Sequence, residues 1–295
     1  MFTLCSLYSL RQFFLFRCAK LILVFLVRIC YNYIVLPFSS RTVFFPDNGD
    51  LMFTNNYTFA GHVVEINSIF SEVHQYCAEY RSQKPPVFSV TTDQNDISYE
   101  RERSYKEDIA EGRPHIEYSD SYLEELAVYR KIAEKAPDWD TLLFHGSVIA
   151  VDGQGFLFTA KSGTGKSTHT RLWREVFGER AVMVNDDKPL LTVADGSVIA
   201  HGTPYNGKHS LGCNISVPLK GLCILTRGAD NSIVSISKQD AYPMLIQQVY
   251  RPSDPVQMHK TLLLVDKLAE FTSLYKLKCN MEKDAAITAF NGMKG

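Results

Sequence analysis

The run Ala160-Lys161-Ser162-Gly163-Thr164-Gly165-Lys166-Ser167-Thr168 has the residue types of a loop that cradles phosphate. Gly163 and Gly165 let backbone N–H groups turn inward, and Lys166 can reach terminal phosphate oxygens. The Ser167 hydroxyl can bind Mg²⁺, while Ser162, Thr164 and Thr168 complete the cradle. Ala160 replaces the first glycine of the usual pattern, which is tolerable where φ stays negative. Further on, the apolar run from Ala181 to Val184 leads into Asn185-Asp186-Asp187. A carboxylate at a strand end beside such a loop suits a metal-assisted nucleotide site. With two acids, one can hold the metal and the other can take a proton from an attacking hydroxyl. Ser167 and Asp186 are the candidate metal ligands, and the sequence leaves open which aspartate serves which role. Asn-Asp also favours ordinary turns.

Such a loop needs a strand before it and a helix after it. Residues 142–151 and 154–160 read as adjacent antiparallel strands around Asp152-Gly153, a pair suited to the positive φ angles of a tight turn. Residues 168–179 read as a helix with Leu172 and Trp173 inward and Gly178 near its end. Ahead of these, 57–66 reads as a strand. A helix is expected over 68–81, with Ile69, Val73, Tyr76, Cys77 and Tyr80 on one face, stopped by Lys84-Pro85-Pro86. A strand follows over 87–92. Residues 93–114 are too charged for a core and read as a solvated hairpin or loop. A helix over 119–135 has Ser121 and Glu124 at capping-box spacing and ends at Ala136-Pro137. His62 and His74 read as structural or exposed, because nothing near them completes a site.

The 31 basic and 32 acidic residues leave a formal net charge of −1, so no global field attracts nucleic acid, and no local basic patch substitutes for one. The seven cysteines form no C-x-x-C pair, which suits reduced, mostly buried thiols and a cytoplasmic setting. Residues 1–51 differ from the rest: they carry Arg11, Arg17, Lys20 and Arg28, with no acid before Asp47. Three readings stay open for them: translation starting at Met52, a membrane-surface or spanning anchor interrupted by Arg28, or a cleaved signal. Membrane contact is expected only if this segment is retained. The expected organisation is this segment, a small α/β lobe over 52–138 and a nucleotide-binding domain over 139–295. A homo-oligomer is compatible with it.

His145-Gly146 ahead of the loop, SGTGKST at 162–168 and Asp186-Asp187 together resemble the HPr kinase/phosphorylase catalytic domain, which shares its nucleotide-binding core with phosphoenolpyruvate carboxykinases. The loop followed by two aspartates is similar to the carboxykinase version; the short chain and the His-Gly pair favour the kinase version. The resemblance spans roughly 142–279 and implies a mixed-sheet α/β P-loop core that binds ATP and Mg²⁺. It places His145 beside the phosphates in a supporting catalytic role, although a histidine on an apolar strand by itself reads as a core residue. Residues 202–225 look like the family's glycine-containing loop and following strand, with Lys208 and His209 either facing substrate or simply exposed. Arg251-Pro252 resembles its Arg-Pro signature, in which an arginine stabilises charge on the transferring group. Ser253-Asp254-Pro255 stands where a second arginine is expected, which argues against the reverse, phosphorolytic reaction. An amphipathic helix follows over 256–275. The implied activity is ATP- and Mg²⁺-dependent transfer of the γ-phosphoryl group to a hydroxyl, a serine of a protein or peptide. The alternatives are a non-catalytic ATP-binding regulatory or assembly module and, less favoured at this chain length, a carboxykinase-type enzyme.

Overall fold

The computed structural model describes residues 41–44, 51–110, 112–207 and 210–294. The readings made for residues 1–40 and 45–50, and for Lys208 and His209, lie outside the described residues. The elements run β1 (Arg41–Phe44), β2 (Leu51–Phe59), β3 (His62–Ser68), α1 (Glu72–Tyr76), β4 (Phe88–Thr91), α2 (Gln94–Ala110) and α3 (Asp120–Lys135). They continue through β5 (Thr141–Leu143), β6 (Ser147–Val151), β7 (Gln154–Thr159), α4 (Lys166–Phe177), β8 (Ala181–Asn185), β9 (Leu190–Ala194) and β10 (Ser197–His201). β11 (Ser216–Arg227), β12 (Ser232–Ser235), α5 (Lys238–Gln248), α6 (Pro255–Phe271), β13 (Ser273–Cys279) and α7 (Lys283–Met293) complete the chain. The protein is thus mixed α/β, with a curled mixed sheet at its centre. Among the described residues no helix is long and apolar enough to cross a membrane.

The large sheet runs β5-β9-β10-β11-β7-β6-β8, with β13 also pairing β11 and β12 pairing β13. Its strands alternate between two cores, as the two-residue period of a pleated strand requires. Val148, Ala150, Leu157, Leu222 and Ile224 face one core with Leu245 of α5 and Leu264, Val265 and Leu268 of α6. Ile149, Val151, Phe156, Phe158, Cys223 and Leu225 face the other, with Leu172 and Trp173 of α4 and Ala285, Ala289 and Met293 of α7. Helices therefore cover both faces.

Strand direction decides what meets at the sheet's end. β7 and β13 both run parallel to β11, while β6 runs antiparallel to β7 and β8. The carboxyl ends of β7, β8, β11 and β13 consequently share one end of the sheet with the start of β6. Open α/β sheets bind ligands at that end.

The front part is a four-stranded sheet, β1-β2-β3-β4, packed on α3. Its core, with Tyr57, Phe59, Val64, Ile66, Val128, Tyr129 and Ile132, also takes in Leu190 and Tyr205 from the larger part. The single strand expected over 57–66 is a hairpin, because Ala60 (φ 48°) and Gly61 (φ 82°) adopt the left-handed conformation of a tight turn. The helix expected over 68–81 shortens to α1 and a 3₁₀ turn over Ala78–Tyr80, with Val73, Cys77 and Tyr80 buried and Tyr76 exposed.

Residues 93–114 are not a loop; most of them form α2. Asp93 Oδ1 accepts from the N–H groups of Asn95 and Asp96, and the pairs Arg103–Glu107 and Lys106–Glu102 lie one turn apart. Arg130 of α3 then reaches Asp96 at 2.9 Å and Glu100 at 2.5 Å, docking a highly polar helix by ion pairs where apolar burial is scarce. The α3 cap also differs from expectation: Ser119 accepts from Tyr122 N. Glu124 instead lies fully buried, accepting from Ile69 N (2.7 Å), Phe70 N (2.8 Å) and Thr92 Oγ1 (2.6 Å).

His62 stacks on Trp139, and His74 is buried. Tyr57 Oη donates to His74 Nδ1 at 2.8 Å, and His74 Nε2–H donates to the Phe53 carbonyl at 2.9 Å, so the imidazole is held neutral. Burial lowers its pKa from 6.5 to about 4, with the Phe53 carbonyl opposing. The unfolded chain therefore takes up this proton first, and the stability contributed by neutral His74 is present above about pH 6.5 and lost as pH falls toward about 4. Urea unfolding at pH 7 and pH 5 is expected to show wild type losing more stability on acidification than His74→Gln.

Candidate active site

The strand expected over 142–151 is broken at Phe144–Gly146, and His145 sits in the break. A Cβ on Gly146 would meet Leu157 Cδ1 at 2.8 Å and the Phe158 carbonyl at 3.0 Å, so a side chain there would force its neighbours to shift. His145 N donates to the Gln248 carbonyl at 2.7 Å, Gly146 N to the Asp187 carbonyl at 2.9 Å, and Thr159 Oγ1 to the His145 carbonyl at 3.1 Å. His145 is therefore no core residue on an apolar strand: these bonds set it between the end of β7, the turn after β8 and the end of α5.

The loop after β7 begins with Ala160, whose side chain is fully buried in the core beneath α4. Gly163 (φ 72°) and Gly165 (φ 120°) take conformations other residues avoid. Gly165 is also the N-cap of α4 and supplies no side chain, so no side-chain group caps the first N–H groups of this helix. Ser162 and Ser167 are exposed, while Thr164, Lys166 and Thr168 are half-buried. Burial pushes the Lys166 ammonium below its usual pKa, with the charge of Asp187 opposing.

The acidic pair projects from a turn built by Asn185, which is fully buried. Its Oδ1 accepts from Asp187 N at 2.9 Å and Lys188 N at 2.7 Å, and its Nδ2 donates to Thr203 Oγ1 at 2.9 Å. Ser147 Oγ donates to the Asp186 carbonyl at 2.8 Å, and Tyr129 Oη of α3 donates to the Lys188 carbonyl at 2.6 Å. The turn sends the two carboxylates to different neighbours. Asp186 is buried, and its Oδ1 accepts from Gly207 N at 2.6 Å. Asp187 Oδ1 lies 3.4 Å from His145 Nε2. Burial would raise the Asp187 pKa, but the hydrogen bond from His145 and the charges of Lys188, His145 and Lys166 outweigh it and hold the carboxyl below its ordinary range.

His145, Lys166 and Asp187 thus form one electrostatic cluster, with Asp186 directed to the 203–207 loop beside it. Arg251 is exposed and has no ion-pair partner among the described residues. Its segment is nevertheless fastened to that of His145, since Phe144 bridges Val249 and Tyr250 N donates to the Leu143 carbonyl at 2.9 Å. Sequence reasoning overlooked three residues. Asn185 looked like any turn-former. His169, in the first turn of α4, is buried and accepts at Nε2 from Trp173 Nε1 at 3.0 Å. Arg227, at the end of β11, donates to the carbonyls of Gly163 and Thr164. The i,i+4 spacing of His169 and Trp173 was the one signal available in advance.

The chain is thus a mixed α/β protein in which a glycine-turned strand–loop–helix lies beside an acidic turn. Residues 119–283 match the family described as SynChlorMet cassette protein ScmC, and the chain belongs to that family. No curated protein matches the chain. Among solved structures, the HPr(Ser) kinase/phosphatase from Coxiella burnetii is similar at 12% identity over 52% of this chain and 99% of that one. Its TM-score of 0.27 is too low for that likeness to carry weight.

Asn185→Ala would strand the buried N–H groups it now satisfies, and urea unfolding is expected to show a loss of roughly 3 kcal/mol. For Gly163→Ala, the added Cβ meets nothing within 4 Å, so its cost is backbone strain alone. Thermal unfolding is expected to register about 1 kcal/mol for it.

Proposed function

We propose that the chain is an ATP- and Mg²⁺-dependent kinase that transfers the γ-phosphoryl group to a hydroxyl, a serine side chain of a protein or peptide. The observation that carries this reading is the convergence, at one end of the sheet, of an uncapped helix N-terminus, Lys166 and an ionised Asp187 held by His145. Open N–H groups and a lysine suit phosphate oxygens. A carboxylate kept charged beside them suits proton abstraction.

Among the described residues no group of three or more His, Cys, Asp or Glu could hold a metal ion alone. Mg²⁺ needs no such group, since it is usually bound by one or two carboxylates together with substrate phosphates. Ser167 and Asp186 are the residues that would hold it here. When bound, it would supply charge neutralisation for the phosphate groups.

The chain's own groups then divide the work. The serine oxygen bonds to the γ-phosphorus as the bond to the β–γ bridging oxygen breaks, and ADP departs. Asp187 takes the hydroxyl proton; His145 orients Asp187 and keeps it ionised. Lys166 and the loop N–H groups balance charge on the transferring group, so catalysis is mostly positioning and electrostatics. Arg251 would add charge from the segment that is fastened to that of His145.

Asp187→Asn is expected to lower kcat by about 10²–10⁴-fold, the usual worth of a general base, while ATP affinity changes little. The measurement is transfer of label from γ-labelled ATP to seryl acceptors. Tight ATP binding with no transfer to any hydroxyl would overturn the kinase reading in favour of a nucleotide-binding module. Because a depressed Asp187 pKa keeps the base charged, activity should fall only well on the acid side of neutrality. In His145→Ala the carboxyl loses a hydrogen bond that lowers its pKa, and the acid limb of the kcat–pH profile is expected to move to higher pH.

A further inference from the structure

Tyr122, Glu125 and Tyr129 stand at i, i+3 and i+7 on α3 and so share one stripe of that helix. The inner end of the stripe is buried, and there Tyr129 donates to the carbonyl of Lys188, the residue after Asp187. The outer end is open, with Tyr122 41% exposed and its ring 5.1 Å from that of Tyr118. Helix α1 brings a second exposed tyrosine to the same place. Tyr76, 36% exposed, meets the Tyr205 ring edge-on at 5.4 Å. Tyr205 stacks on Tyr129 and accepts at its carbonyl from Asn185 Nδ2 at 3.3 Å. The two helices therefore present tyrosine to solvent directly beside the residues that hold the acidic turn.

Glu125 is half-buried on this face, and among the described residues its carboxyl has no hydrogen-bond or ion-pair partner. Other carboxylates of the front part are matched: Glu124 has three donors, and Arg130 reaches both Asp96 and Glu100. Burial raises the Glu125 pKa to about 7, and the charges of Glu72 and Glu124 add to that. Its charge reaches both tyrosines. Burial and then Glu125 raise the Tyr76 hydroxyl, with the Asn206 N–H opposing; burial, Tyr118, Glu125 and Asp187 raise that of Tyr122. What this face lacks is a cation. A lysine or arginine head would pair the carboxylate, and it is also attracted to the face of a tyrosine ring within about 6 Å. On the other side of Asp187 the charges are those of Lys188, His145 and Lys166, so a basic group on an incoming acceptor finds its complement on the α1–α3 side.

We propose that Tyr76, Tyr122 and Glu125 form the docking face for the phosphoryl acceptor and select a protein or peptide segment with a lysine or arginine close to the serine. This rests on the kinase reading and gives its acceptor a chemistry.

The test uses the full chain and synthetic seryl peptides carrying arginine at each flanking position in turn, with glutamine and glutamate counterparts, at a pH above the titration of Glu125. Two readouts are taken: label transfer from γ-labelled ATP, and the anisotropy of the same peptides bearing fluorescein, with Mg-ADP present. At the matching position, arginine is expected to lower KM and Kd about tenfold relative to glutamine. Glu125→Gln should bring that ratio within about twofold, and Tyr122→Ala should weaken the arginine peptide about threefold. Glu125→Lys should favour the glutamate peptide, a reversal that misfolding cannot produce. No arginine preference at any position, or a preference that survives Glu125→Gln, would overturn the proposal. Transfer without preference removes the docking face and leaves the kinase; preferential binding without transfer keeps the face and removes the kinase; neither binding nor transfer brings down both.

Discussion

The Asn185 carboxamide is the contact on which the site depends. One buried oxygen takes the N–H groups of Asp187 and Lys188, and the nitrogen ties the same turn to Thr203. Without it, two adjacent aspartates at a strand end would repel each other and have no fixed direction. With it, Asp186 turns to the Gly207 N–H and Asp187 to His145. Asn185 is thus a positioning residue for two carboxylates with different neighbours. Ser147 Oγ and Gly146 N brace the backbone of the same turn from the start of β6.

The front sheet and α3 take part in that bracing. Tyr129 donates to the Lys188 carbonyl and stacks on Tyr205 with ring centroids 3.7 Å apart. Tyr205 belongs to the loop that carries Gly207, so α3 presses on both sides of Asp186. Glu124 fixes α3 in turn to the end of β3 and to the residue after β4 through three hydrogen bonds. A buried carboxylate with three donors is costly to disturb. The front part therefore acts as a buttress for the acidic turn.

Legibility varied with how local the cause was. The Asp152-Gly153 turn, the inward Leu172 and Trp173, and β8 followed by acids were readable because short-range sterics and periodicity decide them. Helix α2 was misread: its charges looked like a solvated loop, and only the approach of Arg130, far along the chain, supplies the ion pairs that dock it. The break at His145 was misread for the same reason. An apolar run looks continuous until Leu157 and Phe158 crowd the position of Gly146 and the Gln248 carbonyl takes the His145 N–H. Ser121 and Glu124 had capping-box spacing, yet long-range partners claimed Glu124.

The amino-acid sequence by itself determined the chemical inventory: a glycine-turned loop with Lys166 and Ser167, a histidine before it, and two acids after an apolar strand. Those features rest on residue type and near-neighbour geometry, which the chain carries wherever it goes. The division between Asp186 and Asp187, the pairing of Asp187 with His145 and the bond from Trp173 to His169 were decided only in three dimensions. The last forms only once α4 brings the indole N–H to the imidazole. The first two depend on which distant backbone or side-chain group fills a lone pair, and hydrogen-bond partners of that kind have no signature in linear spacing.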